Sequence, residues 1–247
     1  MEKPPKAIVI GVGAWAGLGA ALCRRFANEG YHVLVCGRTA ERIREVAMTI
    51  EQAGGKATAV VADATSEADV ISLFDMAMDE DERSGPADLM VFNAGNNARH
   101  DLDAMSAAFF EDVWRTRCLG GFLAGREASR RFGAQQRGTV IFTGATASLR
   151  SRPPFTAFAS AKAALRAVAQ SMARDLGPKG VHVAHVIIDG GINGERLQKG
   201  APDLIEKKGT EGLLDPDAIA ETYWSLHRQP KTAWTFELDL RPAKETF

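Results

Sequence analysis

Along this chain, short apolar runs alternate with longer segments whose apolar residues return every three or four positions. Runs rich in β-branched residues fall at Ala7–Val12, His32–Cys36, Ala57–Ala62, Asp88–Phe92, Thr139–Thr143 and Val181–Ile188. Helical spacing predicts helices over Gly17–Gly30, Ala40–Ala53, Glu67–Arg83, Ala104–Phe132 and Phe155–Leu176. Runs without a polar face are strands buried on both sides, and strand–helix alternation with short connections builds a parallel sheet covered on both faces. Sheets of this kind bind ligands beyond the carboxyl ends of their strands. Interest therefore falls on the segments that follow each run: GVGAWAGLG, GRT, DAT, NAGNNARH, GATAS and DGGIN, in chain order.

Composition narrows the picture. A chain of 247 residues with 45% apolar content can bury the core of one α/β domain. The formal net charge is −1 and neither half is strongly basic, which argues against a nucleic-acid partner. Cys23, Cys36 and Cys118 are sparse, odd in number and far apart. That usage fits a reducing cytoplasm and offers no metal-type pair. The opening apolar run is far too short for a signal peptide or a membrane span, so no membrane partner is expected.

The first run leads into Gly13-x-x-x-Gly17-x-Gly19 and then a helix. Glycines there let the backbone turn tightly and approach a pyrophosphate, whose charge is held by the free N–H groups of the helix start. The commoner G-x-G-x-x-G spacing fails, because Gly11 and Gly13 are followed by Ala16 rather than a third glycine. After the second run, where an acidic residue would accept from a ribose 2′-hydroxyl, stand Gly37 and Arg38. A guanidinium suits a 2′-phosphate, and Arg42 lies one turn further on to assist.

The Gly13–Gly19 spacing resembles that of the short-chain dehydrogenase/reductase family, and further pieces agree along nearly the whole chain. Asp63 matches the family's adenine-contacting Asp, Asn93-Ala94-Gly95 its N-A-G motif, and Lys162 the Lys of its Tyr-x-x-x-Lys. Gly190–Asn193 is similar to its P-G-x-x-x-T region, with Asp189 where Pro is usual. The resemblance implies a single Rossmann-type domain over 1–247, with a doubly wound sheet of about seven strands and a short substrate loop around 193–212. It implies a cofactor site built from Gly13, Trp15, Gly17, Leu18, Gly19, Arg38, Asp63, Ala64, Asn93, Ala94, Gly95, Lys162, Gly190 and Ile192. With Arg38 in place, the expected cofactor is NADPH.

The catalytic positions depart from the family pattern. Phe158 stands where the proton-donating Tyr is expected and Ala145, thirteen residues earlier, where Ser is expected; Arg117 takes the place of an Asn. Lys162 alone is kept, in line with Phe158, Leu165, Ala169 and Met172 on an apolar helical row. Periodicity alone would read it as a lysine whose stem packs while its head reaches solvent; the resemblance makes it a ribose anchor. Thr146 is the leading replacement hydroxyl, although hydroxyls at strand ends usually satisfy local backbone. Arg115, Arg126, Arg130 and Arg131 accompany Arg117 and suggest a basic helix face, solvated or in an inter-subunit salt bridge; turned inward, Arg117 would instead fix a carboxylate, a water near Lys162 or a phosphate. His100 is a further candidate acid.

Two functions remain open at this level. One is an atypical NADPH-dependent oxidoreductase acting on a small to medium, partly apolar carbonyl, enone or quinone-type molecule. The other is a nucleotide-binding non-enzyme, acting as a sensor or structural subunit. Family resemblance also implies a homodimer or homotetramer. Gly120, Gly121, Ala124 and Gly125 on one long helix and Ala163, Ala164 and Ala167 on the other would allow subunits to approach closely.

Overall fold

Each apolar run becomes one strand of a seven-stranded sheet, joined by a last short strand near the chain end. The computed structural model describes residues 3–245; the first and last two residues of the expected 1–247 unit lie outside that range. The strands are β1 (Lys6–Ile10), β2 (His32–Gly37), β3 (Lys56–Val61), β4 (Ala87–Phe92), β5 (Gly138–Thr143), β6 (Val181–Ile188) and β7 (Glu237–Leu240). They pair in parallel in the order β3-β2-β1-β4-β5-β6-β7. The order reverses between β1 and β4, which opens the crevice where such sheets take ligands.

Alternate residues of the strands serve two cores. Val9, Val33, Ile141 and Val186 pack under α1 (Leu18–Asn28), α2 (Ala40–Gln52) and α9 (Pro216–His227). Ile8, Met90, Phe142 and Val183 pack under α3 (Glu67–Met78), α5 (Gly120–Gln135) and α6 (Thr156–Leu176). The expected doubly wound α/β architecture is therefore observed.

The boundaries differ from expectation for local reasons. β1 stops at Ile10 because Gly11 turns away at φ 97°, and a Cβ there would meet the Asn93–Ala94 backbone at 2.5–2.6 Å. α3 stops at Met78 rather than Arg83. The buried Lys6 ammonium takes the Asp79 carbonyl at 2.5 Å, and Asp81 accepts from the Arg83 and Ser84 amides at 2.7 and 2.8 Å. The expected helix over 104–132 is broken into α4 (Ala107–Trp114), a π-helical turn (Arg115–Leu119) and α5. A π turn adds a residue to the helical cycle and shifts the faces on either side of it.

The small residues of α5 face inward. Gly120 packs against Ala64 and Phe92, Gly121 against Leu165, and Gly125 against Met172 and Phe142. These glycines serve packing within the protomer, not approach between subunits. Ala163 and Ala167 on α6 are exposed, as expected.

The segment after β6 forms α7 (Glu195–Gly200) and α8 (Pro202–Lys208), and an Ile192–Leu214 bridge closes its base. Gly194 lies close against the glycine-rich loop, where a Cβ would meet the Ala16 carbonyl at 2.9 Å. A small roof thus covers the crevice.

Candidate active site

The glycine-rich loop leads into α1 without a side-chain cap, since Gly17 is the N-cap residue. Its first-turn N–H groups therefore remain available. A Cβ on Gly13 would meet nothing within 4 Å, whereas one on Gly19 would meet the Gly11 carbonyl at 2.8 Å and Val12 Cα at 2.9 Å. Gly13 borders open space and Gly19 permits close helix–sheet packing, so the loop suits a pyrophosphate. Trp15 is half-buried beside the core, with the Arg24 guanidinium 4.5 Å from its ring centre. Asn93 Nδ2 donates to the Gly11 carbonyl at 3.2 Å, tying the loop after β4 to the loop after β1.

Further along the crevice, Asp63 Oδ1 accepts from Thr65 N and Oγ1 at 2.8 and 2.9 Å. Those bonds hold its carboxyl below the ordinary range, the Thr65 amide contributing most and Arg38 assisting. Arg38 is exposed, with no hydrogen bond or ion pair to a described residue. Arg42 instead reaches across to Glu195 on α7 at 3.8 Å. Ala64 and Ala94 are buried, and Gly190 packs on Pro242.

At the other end, α6 presents Phe158 and Lys162 one turn apart, both buried. Lys162 Nζ donates to the Thr143 carbonyl at 2.7 Å and lies 6.0 Å from the Phe158 ring centre. Burial first, and the Arg117 charge second, push its pKa down to about 7. The head does not reach solvent, contrary to what periodicity alone suggests.

Arg117 sits in the π turn, with its side chain in the interior. It is 7% exposed, and its guanidinium is 5.7 Å from the Phe158 ring centre. Nε donates to the Asn96 carbonyl at 3.0 Å, one terminal nitrogen also donates to Asn96, and the other to Val113 at 3.1 Å. Its stem crosses Gly95, where a Cβ would meet Arg117 Cγ at 2.5 Å. The basic face expected beside it is instead an ion-pair network, because Arg126, Arg130 and Arg131 converge on the buried Glu127 carboxylate.

The hydroxyls near Ala145 are already engaged. Thr146 Oγ1 donates to Asp189, which also takes Arg150 at 3.2 Å and Arg241 at 2.7 Å. Ser148 Oγ accepts from Ala145 N at 3.1 Å and faces His185 Nε2 at 3.5 Å. His185 Nδ1 meets Glu237, which is clamped by Arg166. Burial pushes His185 down to about 4 against the pull of Glu237, so the ring is neutral; it donates from Nδ1 and accepts at Nε2. Sequence reasoning missed this series of bonds. Its signal was a histidine inside a continuous apolar strand, which must find a partner when buried.

Neither tyrosine replaces Phe158. Tyr223 reaches Thr143 Oγ1 at 2.9 Å from the opposite face of the sheet, and Tyr31 bonds His227 at 2.7 Å. His100 lies beside Phe109 with the rings tilted at 48° and bonds the Asp101 carbonyl.

The short chain dehydrogenase family matches residues 6–202 of this chain. An uncharacterized oxidoreductase, YuxG, from Bacillus subtilis (strain 168) is 32% identical over 89% of this chain, which spans only 32% of that relative's length. 3beta-hydroxysteroid dehydrogenase 1 from Eggerthella lenta is 32% identical over 87% of this chain and 77% of its own. The crystal structure of a short-chain dehydrogenase from Rhodopseudomonas palustris superimposes with a TM-score of 0.82 at 39% identity, covering 96% of this chain and 98% of that one. Nothing in these comparisons favours a non-catalytic role. This chain belongs to the short-chain dehydrogenase family of NAD(P)-binding oxidoreductases.

Proposed function

We propose that this protein reduces a small to medium, partly apolar acceptor with NADPH, and that activated C=C bonds and quinones suit it better than simple ketones. The observation that carries this reading is Lys162, an almost wholly buried amine poised near neutrality beside a phenyl ring that can give no proton. Gly13, Trp15, Gly17, Leu18, Gly19, Asp63, Ala64, Asn93, Ala94, Gly95, Gly190 and Ile192 would hold the cofactor. Arg38, without a partner among the described residues, would take the 2′-phosphate. NADPH supplies the hydride when bound.

The residues in the reacting region would then divide the work. Phe158 and Ala145 offer neither an acid nor an oxyanion donor. A positioned acid typically contributes about 10²–10⁴-fold and one oxyanion donor about 10²–10³-fold, and the two overlap when they act as a unit. Simple ketones need both. An enone or quinone spreads its charge into an enolate, so a proton held at Lys162 Nζ, or on water, suffices. Thr146 orients the loop through Asp189 rather than meeting the acceptor.

Two coarser expectations accompany this reading. Phe110, Trp114 and Phe122 are large apolar side chains left partly exposed on α4 and α5, which suits a homodimer or homotetramer. Cys23, Cys36 and Cys118 are free and buried, which suits the cytoplasm. No described helix is long and apolar enough to cross a membrane.

Loss of NADPH absorbance with a panel of ketones, quinones and enones tests the function. Consumption with quinones or enones supports it; tight NADPH binding with no acceptor turned over would replace it by a nucleotide-binding role.

A further inference from the structure

Two guanidiniums enter the reacting end of the crevice from different elements and hang from adjacent carbonyls of one loop. Arg117 arrives from the π turn onto Asn96, and Arg196 from α7 onto Asn97 at 3.0 Å. Lys162 stands on the same Phe158 ring as Arg117. No described carboxylate lies within ion-pair distance of Arg117 or Arg196, and Asp112 draws on Arg117 only from further away. Glu195, the acidic neighbour on α7, is occupied by Lys199 at 2.5 Å and Arg42 at 3.8 Å.

A buried cation without a counter-charge is costly, and buried charges are normally paired. Three of the five Arg117 N–H groups are spent on the Asn96 and Val113 carbonyls. One N–H remains on each terminal nitrogen, and a carboxylate, with two acceptor oxygens, can take both. The cofactor does not supply this charge under the reading above, since its phosphates go to the glycine-rich loop and to Arg38. We propose that the acceptor carries a carboxylate, and that Arg117 binds it with Arg196 closing from the roof. This rests on the proposed hydride-transfer reading and names its substrate class: a carboxylate-bearing acceptor with an apolar body lying against Phe158.

Calorimetric titration of benzoate and of benzamide, into protein with and without NADP+, tests the proposal apart from any turnover. Benzoate should bind about tenfold or more tightly than benzamide, as a charge-assisted contact requires. Arg117→Gln should abolish that preference, and Arg196→Ala should reduce it. Arg196→Ala carries the test if Arg117→Gln does not fold, because Arg196 is exposed and outside both cores. Benzoate binding no better than benzamide, or a preference unchanged in the folded variants, would overturn the assignment. Failure of NADP+ to bind in the same titrations would count against the cofactor reading, leaving the benzoate comparison to decide the carboxylate site.

Discussion

Around the glycine-rich loop, polar groups stand without partners among the described residues, whereas along the loop after β5 nearly every hydroxyl and carboxylate is already taken. Gly13 faces open space, the first turn of α1 has no side-chain cap, and Arg38 has no described acceptor. Thr146 is tied to Asp189, Ser148 to Ala145 and His185, and Glu237 to Arg166. Groups left unsatisfied by the protein are the ones available to a ligand, and groups already satisfied are structure. By that criterion the β1–β3 end is built as a binding cradle, and the β5–β7 end as a braced wall. Among the described residues, Lys162 and Arg117 flank that wall as buried cations beside one phenyl ring.

The largest expected effect separates two glycines of one loop. Gly13→Val should leave the free protein within about 0.5 kcal/mol of its original stability, because its Cβ enters open space, yet it should abolish the rise in Tm caused by NADPH. Gly19→Val should lower the stability of the free protein itself by about 1–3 kcal/mol, since rigid backbone stands in its way. Thermal denaturation with and without cofactor reads both, and matching behaviour would erase the distinction between open cradle and packed floor.

The next change rebuilds the wall. Phe158→Tyr with Ala145→Ser should raise reduction of a simple ketone by about 10²-fold or more, since an acid and an oxyanion donor are restored beside Lys162. Steady-state rates check it. Brisk ketone reduction by the unaltered protein would show that the braced hydroxyls are freer to react than their bonds imply.

Arg38→Ala should weaken NADPH binding by about 1.5–3 kcal/mol and leave NADH almost unchanged, as expected for loss of one charge-assisted contact. Equal affinities for the two nucleotides in the unaltered protein would remove the 2′-phosphate role.

The last effect concerns pH. Lys162 has a folded pKa of about 7 against an ordinary 10.5, so between those values the unfolded chain binds more protons and stability rises with pH. Below about pH 7 both states are protonated and the full penalty of burying the cation is felt. Lys162→Met should therefore gain most over the unaltered protein below pH 7, and its advantage should shrink as pH rises toward 10.5. A difference that does not change with pH would place the ammonium in a wetter setting.

The fold was legible because its signals are local and repeated. Continuous apolar runs such as His32–Cys36 admit no partly exposed alternative, and the glycine spacing sets the first turn. The geometry of these loops follows for the same reason, since Gly13, Gly19, Asp63 and Asn93 lie close to the ends of their own strands. Arg117 was not. Ordinary helical spacing sets it about 180° from Arg126 and in line with the buried Ala124 and Ala128, but its charge groups it with the other arginines of the segment. The small-residue argument for subunit contact failed at Gly121 and Gly125 because both are buried against side chains of the same protomer. The brace of Ser148, His185 and Glu237 joins three distant segments, and no spacing in the sequence encodes that meeting.

Under the proposed function, this site favours hydride delivery to an activated C=C bond over a carbonyl carbon. The most direct test supplies NADPH deuterated at the transferable C4 position and an aryl enone, and locates the label in the product by NMR. Deuterium is expected on the former alkene β-carbon of a saturated ketone. Deuterium on the carbinol carbon of an allylic alcohol would contradict it.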